Sequence, residues 1–202
     1  MRRSNRLCRR GPTVPRVRWP EAVERAVRFY RARPDELVLP PAELGELTLS
    51  RWSPRRDGIP RGIFAGTTNF AWWAMERLGM FARDGLAVYA IHQGPRVVHR
   101  LLVTPRWYRF PFMAPGDLQL GMLWTAPAWR GRRLARQAIA AVHADYAAAC
   151  EALWYVVGED NVASIRLIET LGYRLVGRGR RTRPLGIAAL GRFTLEQPPA
   201  QG

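Results

Sequence analysis

Residues 124–135 read WTAPAWRGRRLA, and residues 161–173 read NVASIRLIETLGY. The first stretch connects a predicted strand to a predicted helix through an arginine-rich turn that contains Gly131. The first backbone N–H groups of a helix have no internal partner, and the helix dipole adds partial positive charge there. Such a junction indicates a cradle for an anion such as a pyrophosphate. The simpler alternative is an arginine-rich helix start in an arginine-biased protein.

The second stretch predicts a helix with clear ends. Asn161 can cap its N-terminus, with Ser164 three residues further on, and Gly172 is a C-terminal stop signal. Between the two stretches, apolar residues recur with helical spacing from Arg132 to about Cys150. Residues 153–157 (LWYVV) then form a short apolar run that is typical of a strand buried on both faces.

The rest of the chain supplies further strands and helices. The first helix is inferred from a stripe that includes Val23, Val27 and Tyr30, with Pro34 as its stop, and the turn at 93–95 (QGP) favours a hairpin. This order predicts an α/β or α+β layer fold with a crossover helix between neighbouring strands. The predicted helices lie at about 20–33 and 68–78, and the predicted strands at 46–52, 86–91, 97–103, 118–125, 173–177 and 187–195.

Together, the two quoted stretches resemble the GNAT superfamily of acyl-CoA-dependent N-acyltransferases. The resemblance is direct over 118–177 and agrees with the order of elements over 19–195. It implies a mixed, mostly antiparallel central sheet flanked by helices, in which a bulge splays one pair of parallel strands to hold the CoA. The segment ahead of the loop also resembles GNAT proteins from bacterial surface-polysaccharide clusters.

The resemblance implies a set of cofactor contacts. The family loop Gln/Arg-x-x-Gly-x-Gly/Ala maps onto residues 130–135, and its first and last positions conform. The backbone of the preceding strand would face the pantetheine arm of CoA, and the start of the second helix would hold the cofactor from the other side. The implied cofactor-binding residues are Leu123, Trp124, Thr125, Arg130, Gly131, Arg132, Arg133, Leu134, Ala135, Asn161 and Ser164.

Two positions depart from the family pattern. Arg133 stands where the family prefers glycine, so its Cβ could push the pyrophosphate outward, or its guanidinium could bind it. Ile168 occupies the position of the tyrosine that protonates the leaving thiolate in many members. Tyr173 falls at an ordinary packing position, so we expect it in the core and not as a general acid.

Acyl transfer to an ammonium acceptor also needs a base or a water chain, because the nitrogen must lose a proton. His99, on a predicted strand, is the leading catalytic candidate because an unperturbed imidazole titrates near neutrality. Asp117, at the start of the central strand, is the second, and His92 and Glu159 are further candidates. Each has a structural alternative, such as a hydrogen-bonded histidine or a carboxylate that ends a turn.

Composition limits the class of protein. The chain has 202 residues and a net charge of +16, with 32 basic side chains, all arginine, against 16 acidic ones. Residues 1–18 hold seven arginines and no acid, so we expect a disordered basic extension, one acyltransferase domain over 19–197 and a disordered tail at 198–202. Two cysteines give neither a disulfide framework nor a metal site, which fits a reducing, cytoplasmic setting. No stretch is apolar enough to span a membrane.

The leading hypothesis is an N-acetyltransferase that moves an acetyl group from acetyl-CoA to a primary amine of a small molecule. Aromatic residues that could line a cleft, among them Trp72, Trp73 and Trp107, make an amino sugar one candidate acceptor. The alternatives are a protein N-acetyltransferase, a CoA-binding protein without catalysis, and a basic nucleic-acid-binding module. No known groove-reading motif is present, which argues against nucleic acid. We expect a monomer or a homodimer, without a metal.

Overall fold

The computed structural model describes residues 25–37, 39–40, 43–182, 184, 187 and 190–196. The strands in this part of the chain are β1 Arg25–Ala32, β2 Thr48–Trp52, β3 Ala87–Gln93, β4 Arg96–Pro105, β5 Leu118–Thr125, β6 Leu153–Gly158, β7 Arg174–Arg181 and β8 Phe193–Glu196. The helices are α1 Pro54–Asp57, α2 Thr67–Arg77, α3 Leu134–Tyr146 and α4 Val162–Thr170.

The described strands form one sheet in the order β2-β3-β4-β5-β6-β1-β7-β8. Strands β5 and β6 are parallel, and the other neighbouring pairs of this described sheet are antiparallel. Helix α3 connects β5 to β6, because parallel neighbours need a crossover and cannot be joined by a tight turn. The predicted mixed, mostly antiparallel sheet flanked by helices is confirmed.

Both faces of the sheet are covered. Helices α3 and α4 pack on one face, where Ile139 and Ile168 join the largest buried cluster. Helix α2 packs on the other face, where the half-buried Trp72 contacts two smaller clusters that contain Trp154 and Leu102. These two sides are named the α3 face and the α2 face below. Because each face has its own helices, strands β3, β4 and β6 and the first half of β5 are mostly buried on both sides.

The prediction of a helix at about 20–33 is wrong in its described part, where the chain forms strand β1. This strand lies between β6 and β7 and pairs with both. Its side chains alternate between the faces: Val27 and Phe29 join a cluster on the α2 face, while Tyr30 and Ala32 join the cluster on the α3 face. Pairing on two edges and burial on two faces override the local helical stripe.

The other predicted elements are present with shifted ends. Strands β3 and β4 form the predicted hairpin, with Gly94 of its turn at φ 53. Helix α3 ends at Tyr146 and not near Cys150, and the last predicted strand shortens to β8. Residues 20–24, the extension predicted at 1–18 and the tail predicted at 198–202 lie outside the described residues.

Gly179 of β7 is a position where the sheet leaves no room for a side chain. A Cβ there would collide with the backbone oxygen of Thr194 in β8 and lie 2.9 Å from Cε2 of Phe29 in β1. We therefore expect Gly179→Ala to push β8 away and to lower the free energy of unfolding by about 1–3 kcal/mol, the usual cost of overpacking. Urea unfolding followed by circular dichroism measures this change.

Gly116→Ala is the matched control. The atoms nearest its Cβ belong to the exposed side chain of Glu151, which can move away. The free energy of unfolding should stay within about 0.5 kcal/mol of the parent. If Gly179→Ala were equally harmless, β7 and β8 would not be packed as described.

Candidate active site

An irregularity in strand β5 separates the two parallel strands. Between the pairs Gly121–Leu102 and Trp124–Arg100, β5 contains one residue more than β4. This β-bulge holds Met122 at φ 50, in the left-handed region that residues other than glycine rarely adopt. The register of β5 with β6 covers only three residue pairs and ends before the bulge. A slot therefore opens between the C-terminal halves of the two strands.

The loop after β5 presents backbone donors beside this slot. The first hydrogen bond of α3 runs from the N–H of Gln137 to the carbonyl oxygen of Arg133, at 3.2 Å. The N–H groups of residues 134–136 precede it and so have no partner within the helix. Arg133 is the N-cap at φ 58, and Gly131 lies at φ 76. The predicted anion cradle thus coincides with a helix start whose donors are available.

Arginine side chains surround the same helix start. Arg130, Arg132 and Arg133 are exposed. The Nε of Arg130 makes a long hydrogen bond of 3.4 Å to the Thr125 carbonyl oxygen, and the Arg132 guanidinium lies 4.6 Å from the ring centroid of Trp129. No ion pair within the described residues engages these three arginines. Their charge is therefore available to a phosphate group.

The start of α4 follows β6 and borders the other side of the slot. Asn161 caps this helix as predicted, because its side-chain oxygen accepts the N–H of Ser164 at 3.1 Å. Burial raises the pKa of Tyr155 on β6, and a hydrogen bond with Ser164 opposes that shift. Polar groups from the loop after β5 and from the start of α4 thus flank the slot on its two sides.

His99 lies directly opposite Thr125, the last residue of β5. Its Nδ1 is 2.8 Å from Oγ1 of Thr125, and its buried Nε2 has no hydrogen-bond partner among the described residues. The ring has no exposed surface, and burial lowers the pKa of His99 to about 4. The imidazole is therefore neutral at physiological pH, and its link to the predicted cofactor contacts is the hydrogen bond to Thr125.

Asp117 lies at the opposite end of β5, roughly 25 Å from Thr125 at about 3.3 Å per residue. Its Oδ2 accepts hydrogen bonds from Nε1 of Trp154 at 2.7 Å and from the N–H of Ala114 at 2.9 Å. The side chain is almost fully buried. The structure does not bring Asp117 close to His99 or to the loop after β5, and its contacts are those of a structural carboxylate.

The two further base candidates are engaged in other contacts. His92 hydrogen-bonds through its ring nitrogens to Oγ of Ser50 and to the carbonyl oxygen of Gly94, both at 2.8 Å. Glu159 forms ion pairs with Arg28 at 3.7 Å and with Arg178 at 3.2 Å. None of these contacts involves a residue of the β5 bulge.

The position that would carry a tyrosine acid is part of the core. Ile168 has no exposed surface and packs in the cluster on the α3 face. Tyr173 is also buried, as its position predicts, and its hydroxyl lies 2.8 Å from Nε2 of His143. Burial raises the pKa of Tyr173 well above the ordinary value, so this phenol keeps its proton. Neither side chain is placed to donate a proton at the slot.

In the described chain, no helix is long and apolar enough to cross a membrane. The same residues contain no group of three His, Cys, Asp or Glu side chains that could hold a metal ion. The described cysteine, Cys150, is a free thiol.

The model of the acetyltransferase (GNAT) family matches residues 56–173, which is more than half of the chain. The protein belongs to the GNAT family. The matched region contains the bulge of β5, the arginine-rich loop and helix α4. Strands β1, β2, β7 and β8 lie outside it.

Solved structures share this fold at low sequence identity. A Novosphingobium aromaticivorans protein described as an acetyltransferase of the GNAT family is 19% identical, with a TM-score of 0.50 over 78% of this chain and 63% of that one. A Drosophila protein is 17% identical, with a TM-score of 0.52 over 77% of this chain and 49% of that one. A tandem GNAT protein from the clavulanic acid biosynthesis pathway is 15% identical, with a TM-score of 0.52 over 77% of this chain and 51% of that one. The chain thus spans about half to two-thirds of their lengths. No curated protein sequence matches it.

Arg133 departs from the GNAT pattern at a position whose backbone conformation suits glycine. Its φ of 58 and ψ of 16 are left-handed, a conformation that costs an L-residue roughly 1–2 kcal/mol. Arg133→Gly should therefore leave the free energy of unfolding unchanged or raise it by up to about 1 kcal/mol. Thermal unfolding of the purified variants measures the effect.

Arg136→Gly, in the first turn of α3, is the comparison. Here the backbone is helical, so the same substitution should lower the free energy of unfolding by about 1 kcal/mol. Losses of equal size at positions 133 and 136 would contradict the left-handed conformation of Arg133.

Proposed function

We propose that the protein is an N-acetyltransferase that transfers an acetyl group from acetyl-CoA to a primary amine of a small molecule. One observation carries the proposal: the bulge at Met122 opens a slot between β5 and β6 beside the free backbone donors of residues 134–136. The slot suits a pantetheine arm, and the donors suit a pyrophosphate. Membership of the GNAT family supports this class of reaction.

The cofactor contacts follow from this arrangement. We assign the pyrophosphate to residues 130–135, through their backbone N–H groups and their exposed guanidinium groups. The backbone of residues 123–125 lines the slot on the β5 side, and Asn161 and Ser164 lie on the side of β6. Acetyl-CoA supplies the activated thioester.

The reaction forms a bond between the amine nitrogen and the acetyl carbonyl carbon and breaks the C–S bond of the thioester. Proximity can supply roughly 7–11 kcal/mol of such a barrier, whereas general acid–base assistance typically contributes about 10²–10⁴-fold. Because Ile168 has no proton to donate and is buried, the proton for the leaving thiolate comes from water, from another side chain or from the amine. We propose that the enzyme works mainly by holding the two reactants together.

For removal of the amine proton, His99 is the proposed side chain because it is the candidate linked to the slot, through Thr125. Its lowered pKa makes it a weak base, so direct loss of the proton to solvent competes with it.

The free thiol of Cys150 agrees with a reducing setting such as the cytoplasm. An amino sugar stays the finer proposal for the acceptor, since its ring can stack on aromatic side chains.

The pH dependence of the rate tests this view of the proton. We expect kcat/KM to rise with pH up to the pKa of the acceptor amine, because only the neutral amine attacks and His99 is already neutral above about pH 5. Profiles for two acceptors with different amine pKa values should have different midpoints, and His99→Gln should keep the rise. A midpoint near neutrality that is independent of the acceptor and disappears in His99→Gln would make His99 a base that titrates in the complex.

Ala135, in the first turn of α3, tests the position of the pyrophosphate. A leucine there would cover the N–H groups of the helix start, so Ala135→Leu should weaken CoA binding at least about tenfold, or about 1.4 kcal/mol. Isothermal titration calorimetry with CoA measures the loss. Ala71→Leu, on the exposed side of α2, is the control and should bind like the parent. A folded Ala135→Leu variant with unchanged affinity would place the pyrophosphate elsewhere.

A CoA-binding protein without catalysis is the second candidate, and Ile168 at the position of the family's tyrosine favours it. Release of free CoA in the presence of an amine acceptor separates the two functions. Titrations at rising salt concentration address the nucleic-acid alternative, since affinity for a polyanion falls steeply with salt. Binding through the pantetheine arm should persist.

A further inference from the structure

The bulge in β5 also creates a second surface, on the α2 face of the sheet. Arg100 and Met122 line a small cavity there together with residues of helix α2. The Arg100 guanidinium lies over one face of the Trp124 indole ring, with 5.6 Å between the guanidinium carbon and the ring centroid. We term this region the bulge surface, and it consists of Thr68, Asn69, Trp72, Arg100, Met122 and Trp124.

With CoA bound as proposed, an acceptor amine reaches the slot from the bulge surface. The anion cradle lies at the start of α3, and α3 packs on the opposite face of the sheet. A pantetheine arm that runs from this cradle into the slot fills it from the α3 face as far as the bulge. The reacting carbonyl carbon is then open to a second substrate from the α2 face.

The bulge surface is both apolar and positively charged. Met122 is 50% exposed and Trp124 is 41% exposed, although both are large apolar side chains in the middle of a sheet. Arg100 is exposed as well, and no ion pair joins it to a carboxylate of the described residues. A flat ring can stack on the indole face that Arg100 leaves free, and an anion can bind the guanidinium.

Negative charge is absent from the residues that line this cavity in the described structure. Further along α2, Glu76 forms an ion pair with Arg55 at 3.6 Å and is half-buried. A polycationic amine would thus find Arg100 and no carboxylate at the bulge. A ligand with an anionic group gains a charge-assisted hydrogen bond at the same place.

We propose that the acceptor is a primary amine with a flat ring and an anionic group, the ring lying against Trp124 and the anion bound by Arg100. This inference rests on the proposed function and specifies its substrate class. The anion is a carboxylate in an aromatic amino acid and a phosphate in a nucleotide-linked amino sugar, and both satisfy the same two contacts.

Arg100 also acts on the reacting nitrogen. A nearby positive charge disfavours the ammonium form, so the amine loses its proton more easily when its anionic group is bound beside Arg100. The neutral nitrogen then forms the C–N bond while the C–S bond breaks. The proton of the nitrogen passes to water, from which His99 can take it, or to the leaving thiolate, and the products are the N-acetylated amine and free CoA.

The test uses the full chain, acetyl-CoA and matched acceptors, with release of free CoA as the readout. L-tryptophan is compared with tryptamine, which lacks the carboxylate, and uridine diphosphate glucosamine with free glucosamine; kanamycin is the polycationic probe. We expect at least one acceptor with an anionic group to exceed its counterpart without that group in kcat/KM by about tenfold, the usual size of a charge-assisted contact. Arg100→Gln should abolish this preference, mainly through KM, whereas Arg96→Gln, at the exposed first residue of β4, should keep it.

Equilibrium binding separates this inference from the proposed function. The same five compounds are titrated into the CoA-saturated protein, and the heat of binding is recorded by isothermal titration calorimetry. Binding of an anionic compound that depends on Arg100 but gives no turnover supports the inference and contradicts acetyl transfer. Preferred turnover of kanamycin or of the two amines without an anionic group, or equal turnover by Arg100→Gln and the parent, overturns the inference and leaves the proposed transferase activity intact. Absence of both binding and turnover overturns both.

Discussion

The left-handed backbone at Met122 is the constraint on which the candidate active site depends. A parallel pair of regular strands would continue to hydrogen-bond, and no substrate could pass between β5 and β6. The extra residue of the bulge ends that pairing and places the loop after β5 next to the gap. It also reverses which face the following side chains occupy, so that Trp124 reaches the α2 face while Thr125 reaches the α3 face and His99. One irregular residue thus separates the proposed cofactor side from the proposed acceptor side.

Much of this architecture could be predicted from local sequence. The polar cap Asn161 and the stop residue Gly172 mark the ends of α4 because capping chemistry acts within a single turn. The run of apolar residues in β6 and the hairpin turn at Gly94 are equally local signals. Strand β1 could not be predicted from local sequence, because its pairing with two neighbouring strands defines it. Its apolar residues on both faces also mimic a helical stripe.

In the candidate site, too, some features could be predicted from local sequence and others depend on pairing in the sheet. The cradle at 130–135 is contiguous in sequence, so composition and spacing reveal it. The bulge leaves no local signal, because methionine is not a residue that favours a left-handed backbone. Counting alternate residues along β5 across an unrecognised bulge assigns the later side chains to the wrong face. For this reason the pairing of Arg100 with Trp124, and the burial of His99 beneath Thr125, could be known only from the register of β4 with β5.

The place of β1 in the sheet has a consequence for how the chain folds. Tyr30 of β1 donates a hydrogen bond to Glu169, 139 positions later in the sequence, and both neighbours of β1 belong to the C-terminal part of the chain. During synthesis, β1 therefore cannot pair until almost the whole domain has been made. Contacts of such high sequence separation slow folding, and until they form, β6 and β7 each have an unpaired edge that can join another chain. Folding rate and aggregation in the cell should thus depend on when this single N-terminal strand docks.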